Sequence, residues 1–412
     1  MKKLFSALLI VLSFSWSSCL KDYTLREVTY YKPVFKTTAE VRANIKSGEP
    51  ELLSTPGKLF YKDGYVFLNE VMKGVHVIDV RNPQQPVNKA FIKIPGNVDI
   101  AVRGNILYAD FYTDLVAIDI SDPNNVKLKK TVENVFPENN WYSYADSGKV
   151  IADWVRVDTT IREEEYSSWF MKEDRVFANP VTTLSQSGGD GMNGKGGSMA
   201  RFGLRLDRLY TVSTSTLKVF NTSVPENPVY VSSFNFNNGA VETIFPYGNY
   251  LFIGSMTGMY LFDASDKDNP KQLSVFEHAR VCDPVVAEGD YAYVTLRSGN
   301  ECQGFTNQLD VVDVRNVEKP KLVKSYPMFN PHGLAKDGST LIICEGKEGL
   351  KFMDVRSADN IQQIAALKGM TTYDVITLGG YALVSAADGL YIVDYSTPTA
   401  PKISSTVKIV KP

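Results

Sequence analysis

The stretch Gly74-Val75-His76-Val77-Ile78-Asp79-Val80-Arg81-Asn82-Pro83-Gln84-Gln85-Pro86-Val87 decides the fold. A β-branched run ends in an aspartate, a proline-marked turn follows, and a second run begins, which reads as strand, tight turn, strand. The pattern returns at 115–128, 217–230, 259–273, 309–322, 350–364 and 390–403. Its aspartate falls at Asp79, Asp119, Asp263, Asp313, Asp354 and Asp394, with Asn221 standing in once. Successive steps are 40, 102, 42, 50, 41 and 40 residues. A period near 40 that holds four short strands marks a propeller blade. One unit runs through 98–102, a turn at Arg103-Gly104-Asn105, 106–110, 115–120 and 126–132. No such sheet hides both faces alone, so the copies must stack side by side and close or be capped. The expectation is an all-β propeller over residues 56–412 with seven four-stranded blades, and eight if the hairpin in the long step is a degenerate blade.

Three of the pentapeptides, Leu115-Val116-Ala117-Ile118-Asp119, Leu309-Asp310-Val311-Val312-Asp313 and Leu390-Tyr391-Ile392-Val393-Asp394, resemble the LVIVD repeat. The resemblance covers about residues 56–410. It implies a secreted or surface β-propeller and names no activity.

The chain opens as a processing signal. Lys2 and Lys3 precede an apolar run, residues 4–14, too short to span a bilayer. The run leads to Trp16-Ser17-Ser18-Cys19, which resembles the lipobox of bacterial lipoproteins, with Trp16 where an aliphatic residue is usual. This implies a signal peptide over residues 1–18 and acylation of Cys19 (diacylglycerol and palmitate). The acyl chains would be the sole membrane anchor. Outer-membrane placement is expected, with Lys21 and Asp22 leaving periplasmic and cell-surface sides open. Residues 19–55 read as a flexible tether and lead-in, where Thr37 and Glu40 have capping-box spacing before a short helix.

Lys plus Arg number 44 against 46 Asp plus Glu, a net charge of -2, so no global field favours nucleic acid. Three cysteines follow Cys19, and export permits a disulfide. Cys282 and Cys302 bracket the first two strands of one blade and are expected to pair, whereas Cys344 lies in an apolar run as a buried thiol. No C-x-x-C spacing points to a thiolate metal site.

Two steps exceed the period because they carry insertions, residues 133–198 and 298–308. The first holds a hairpin (141–146, 150–157), the aromatics Trp141, Tyr142, Trp154 and Trp169, the acidic run 163–165 and a glycine-rich run, 188–197. That last run lacks G-K-[ST] and a strand-to-helix setting, so it reads as a mobile loop and not as a phosphate loop. By blade connectivity both insertions should decorate one face, the one carrying Cys282 and Cys302.

Counting back about twenty positions from each repeated aspartate reaches the start of each inner strand: Leu59, Asp99, Arg201, Glu242, Asp283, His332 and Asp374. Six of these seven are ionisable and should ring the mouth of the central channel, where low-dielectric walls focus their field. They could bind a cation, an amine or a sugar, with Ca²⁺ as the hard ion such oxygens suit, although no cofactor is required. The alternative is that they are solvated or cap backbone N–H groups. The repeated aspartates read as turn caps. The function expected is a non-catalytic binding or scaffolding module for a protein or glycan of the cell envelope, as a monomer. The alternative is a metal-assisted hydrolase or lactonase using the mouth acids and His332. No residue is assigned as catalytic or as a metal ligand.

Overall fold

The computed structural model describes residues 24–144, 148–165, 195–237, 240–277, 284–297 and 307–409. Cys19, Cys282, Asp283 and Cys302, the signal peptide, and residues 166–194 and 298–306 lie outside them. The chain is all-β and divides into two compact units, residues 1–35 with 151–180, and residues 36–150 with 181–412.

The second unit is a ring of seven four-stranded antiparallel sheets. Inner strands are Pro56–Lys62, Ile100–Arg103, Phe202–Arg205, Val241–Tyr247, Val285–Glu288, Leu334–Asp337 and Thr372–Thr377. Each blade then steps outward through consecutive hairpins. The middle strands are apolar on both faces, as Ile106–Phe111 and Tyr381–Ala386 illustrate, because each is sandwiched between neighbouring blades.

The repeated residue does what its chemistry allows. Its side chain accepts the backbone N–H two residues on in all seven blades, among them Arg81 N to Asp79 at 3.1 Å, Ser223 N to Asn221 at 2.9 Å and Ser265 N to Asp263 at 2.7 Å. A β-turn follows each one, such as Gln85 N to Asn82 O at 3.0 Å and Ala400 N to Thr397 O at 2.9 Å. Pro83, Pro123, Pro225 and Pro398 occupy the second turn position, where their fixed φ fits. Every third–outer strand pair also contains one register shift, which steepens the local twist.

First and last blades are each complete, and the ring closes without exchanging a strand. Leu59, Leu68 and Ile78 of blade 1 pack with Ile376, Leu383 and Ile392 of blade 7 in one buried cluster. Ser405 Oγ donates to Pro83 O at 2.6 Å across this seam. The same outer-strand-to-turn contact joins blades 4 and 5, where Ser274 Oγ donates to Val317 O at 2.5 Å.

The lead-in contributes more than a tether. The capping box forms, with Glu40 N donating to Thr37 Oγ1 at 3.2 Å and Thr37 N to Glu40 Oε2 at 2.7 Å, and caps the helix Thr38–Arg42. Lys46–Gly48 adds a strand outside blade 1, and its Ser47 Oγ donates to Pro123 O of blade 2 at 2.6 Å. Leu53 bridges Ile409 in parallel. Leu25–Thr37, expected to be flexible, is a strand. Its neighbour is Lys149–Arg162, which therefore belongs to no eighth blade. Within the first unit this ribbon is pinned by Thr29 Oγ1 to Asp158 at 2.6 Å and by Arg26–Glu163 at 2.9 Å.

Candidate functional site

The inner strands bring one residue from each blade to a common level of the channel, the residue before the pairs Leu59↔Leu68, Ile100↔Ala109, Phe202↔Thr211, Ile244↔Ile253, Val285↔Val294, Leu334↔Ile343 and Val375↔Val384. That ring is Lys58, Asp99, Arg201, Thr243, Pro284, Gly333 and Asp374. Asp99, Arg201 and Asp374 are where the sequence places them. Glu242 and His332 sit one residue early, and Leu59 one late, in the core at 0% exposure. Bulges at Pro56/Leu59, Val241/Thr243 and Thr372/Asp374 shift the count between blades, and one residue of slip turns a side chain to the other face. The channel residue this hid is Lys58.

The level is occupied by the chain itself. Residues 195–200, the last four of the first insertion and the two that follow it, run up the channel before turning into the inner strand of blade 3. Lys195 and Gly196 pair antiparallel with Tyr61 and Phe60, adding a short strand inside blade 1. Lys195 Nζ donates to Thr377 O at 2.9 Å and Thr377 Oγ1 at 2.7 Å, at the far end of the inner strands. Higher up, Ser198 Oγ accepts from Leu334 N at 2.8 Å, Met199 O from Lys58 Nζ at 2.9 Å and Ala200 O from Ile244 N at 2.8 Å. Residues 196–200 are buried. The end of this insertion thus fills the axis, where the sequence placed the whole of it on one face. The last glycines of the glycine-rich run are explained by the same fit: a Cβ on Gly197 would lie 2.0 Å from Asp374 Oδ2.

Electrostatics follow from that packing. Lys58, 2% exposed, bonds Asp99 Oδ2 at 3.1 Å, and Asp99 also accepts Arg201 N at 2.7 Å. Burial pulls the Lys58 ammonium down to about 8 against the attraction of Asp99. Burial drives the Asp374 carboxyl up to about 8, although the Val375 backbone N–H and Lys58 oppose it. Its Oδ2 has no hydrogen-bond partner. Asp110 is pushed up to about 7 by burial despite the N–H groups of Asp99 and Val98.

His332 is separate from this cluster. Its ring is edge-on to Tyr373 at 5.6 Å with Nε2 3.2 Å from Asn330 Nδ2. Burial, then nearby Arg297, lowers it to about 3, so it is neutral at physiological pH and a weak base.

Three further carboxylates escaped the sequence reading. Glu70 accepts from Ser54 N and Thr55 N at 3.1 and 2.5 Å, Asp110 from Val98 N and Asp99 N at 2.8 Å each, and Glu345 from Phe329 N and Asn330 N at 2.5 and 3.2 Å. Each holds the loop that enters its own blade. Their signal was present, since each acid stands nine residues before a repeated aspartate. Burial works to raise Glu70, yet His76, Ser54 and Thr55 together hold it at about 2. Among the described residues, no group of three or more His, Cys, Asp or Glu side chains is placed to hold a metal ion.

The LVIVD repeat family matches residues 96–134, 279–327 and 369–408, which are blades 2, 5 and 7. The chain carries LVIVD repeats. No curated protein matches it. Among solved structures it is similar to the computationally designed Ika8 protein (9% identity, TM-score 0.53, 87% of this chain and 89% of that one). It is also similar to a functionally unknown protein from Desulfotomaculum acetoxidans (11%, 0.51, 86% and 95%). A third is a protein from Lactobacillus plantarum (13%, 0.51, 83% and 97%). At such identities the likeness is one of fold alone. LVIVD repeats on a β-propeller fit a binding or scaffold module.

Proposed function

We propose that this protein is a lipid-anchored, non-catalytic recognition module of the cell envelope, held through Cys19 and presenting the rim of its propeller to a protein or glycan. The observation that carries the non-catalytic reading is the axial segment. Lys58, Asp99 and Asp374, the residues best placed to receive a ligand at the channel mouth, are already bonded to or packed against residues 197–201. Recognition is thereby left to loops and outer surfaces. Among the described residues no helix is long and apolar enough to cross a membrane, which is compatible with an acyl anchor.

The test has two arms. Cys19→Ala is expected to move the protein from the membrane to the soluble fraction, and unchanged fractionation would count against acylation. Replacing residues 166–190 by a short flexible linker is expected to abolish in-cell crosslinking to the partner while leaving the melting temperature of the ring unchanged. Retained crosslinking would remove the insertion from the recognition surface. A stoichiometric metal in the purified protein, lost on Asp374→Ala, would instead support the hydrolase.

A further inference from the structure

We propose that residues 195–200 are a pH-released axial pin, seated while the Asp374 carboxyl is neutral and unseated from the ring when it ionises. The inference stands on the geometry of the channel and is independent of the proposed anchor and partner.

The carboxyl is closed in on two sides by backbone. A Cβ on Gly197 would lie 2.0 Å from its Oδ2, and one on Gly333 would lie 2.2 Å from its Oδ1. One side is thus the pin and the other the inner strand of blade 6. The backbone N–H groups of Val375 and Ser198 reach the carboxyl, Ser198 Oγ lies a long 3.4 Å from Oδ1, and Oδ2 is left without a hydrogen bond. A neutral carboxyl tolerates that setting, whereas a carboxylate needs several donors or a dedicated cation. The neighbouring cation is Lys58, whose ammonium is already bonded to Asp99 and to Met199 O. An ionised Asp374 would compete for it, and the bond given up is one that seats the pin.

Among the described residues, the titratable groups around this site come from blades 1, 2, 3 and 6, and the Arg201 guanidinium acts on Lys58 as well. Blade 1 contributes Lys58, blade 2 contributes Asp99 and Asp110, and blade 3 contributes Arg201, whose backbone N–H serves Asp99. From blade 6 comes the buried thiol Cys344, raised well above its ordinary value by burial and by Asp374. On the pin, Lys195 lies at the other end of the channel, near Asp337 and Glu288. With Asp374 titrating at about 8, the carboxyl changes from mostly neutral to mostly ionised between pH 7 and pH 9. Lys58 loses its proton in the same interval, weakening its hold on Met199. An ionised Asp374 favours the Lys58 ammonium, so the two titrations are linked. Unseating would open the channel and present Lys58, Asp99 and Asp374 to solvent.

Trypsin reads the pin directly, because Lys195 and Arg201 flank it. The full-length protein is digested briefly at pH 7 and pH 9, with rates normalised to an unstructured peptide, and cuts after Lys195 and Arg201 are counted by mass spectrometry. Cleavage there is expected to be roughly tenfold faster at pH 9, following the ionised fraction of a group titrating near 8. Asp374→Asn, which cannot ionise, should be protected equally at both values. Gly197→Ala should be cut at pH 7 as fast as the wild type at pH 9. Equal wild-type rates at the two values overturn the proposal whether or not either variant folds. So does an Asn variant that behaves as the wild type, or a loss of near-ultraviolet dichroism showing that the whole ring opens at pH 9.

Discussion

Buried carboxylates of this protein are perturbed in opposite directions: hydrogen bonds win at Glu70, and burial wins at Asp374 and Asp110. Glu70 receives two backbone N–H groups, a hydroxyl and His76, and is held at about 2. Asp374 is equally buried and rises to about 8, because burial outweighs its bonds from Val375 and Ser198. The linkage to stability therefore differs in sign. Asp374 and Asp110 bind protons more tightly folded than unfolded, so their contribution is complete below about pH 4 and is lost as pH rises through about 8 and 7. Glu70 contributes above about pH 4.5 and loses that contribution as pH falls through 2. Asp374→Asn should accordingly flatten the decline between pH 5 and 8, gaining up to about 1.4 kcal/mol per pH unit relative to wild type. Urea titrations across that range would show it, and parallel curves would refute it. Glu345→Ala strands Phe329 N and Asn330 N and should cost about 3 kcal/mol by the same measurement. The turn-capping role of Asp79 and its equivalents was legible from residue type and position alone. Asp374 was found in the sequence as an acid, but its protonation depends on Gly197 and Gly333, which the chain order does not place beside it.

The blade is an element whose faces have no meaning until its neighbours are present. Its period and its turns are readable because the third strand of each blade is closed by a local hydrogen bond, Asp (once Asn) to the N–H two residues on. Channel positions were readable only to within a residue, because bulges near the start of three inner strands change the count without changing the composition. The seam between blades 7 and 1 is held by apolar packing and one serine latch. Leu383→Ala, at 0% exposure in that cluster, should cost about 2–5 kcal/mol. A loss below about 1 kcal/mol in chemical denaturation would mean that the seam carries little of the stability. Among the described residues, blade 1 alone has its outer edge covered, by Lys46–Gly48. The uncovered edges of blades 2, 5 and 7 carry two or three lysines each, which discourages edge-to-edge pairing.

If the expected Cys282–Cys302 pair forms, thiol labelling of the folded protein without reductant should reach neither residue, and modification of both would refute it. Cys344, at 0% exposure, should label only after unfolding. What the order of residues determined was what repeats: the all-β class, the forty-residue blade and the capped turns, with a count of seven or eight. Each of these rests on contacts between residues close in the chain, so each leaves a periodic trace. Tertiary structure alone decided that the ring closes by packing, that Leu25–Thr37 finds a strand partner more than a hundred residues away, and that residues 195–200 fill the axis. These are single events between distant segments. A backbone that fits a channel through the absence of a side chain at Gly197 leaves no period to read.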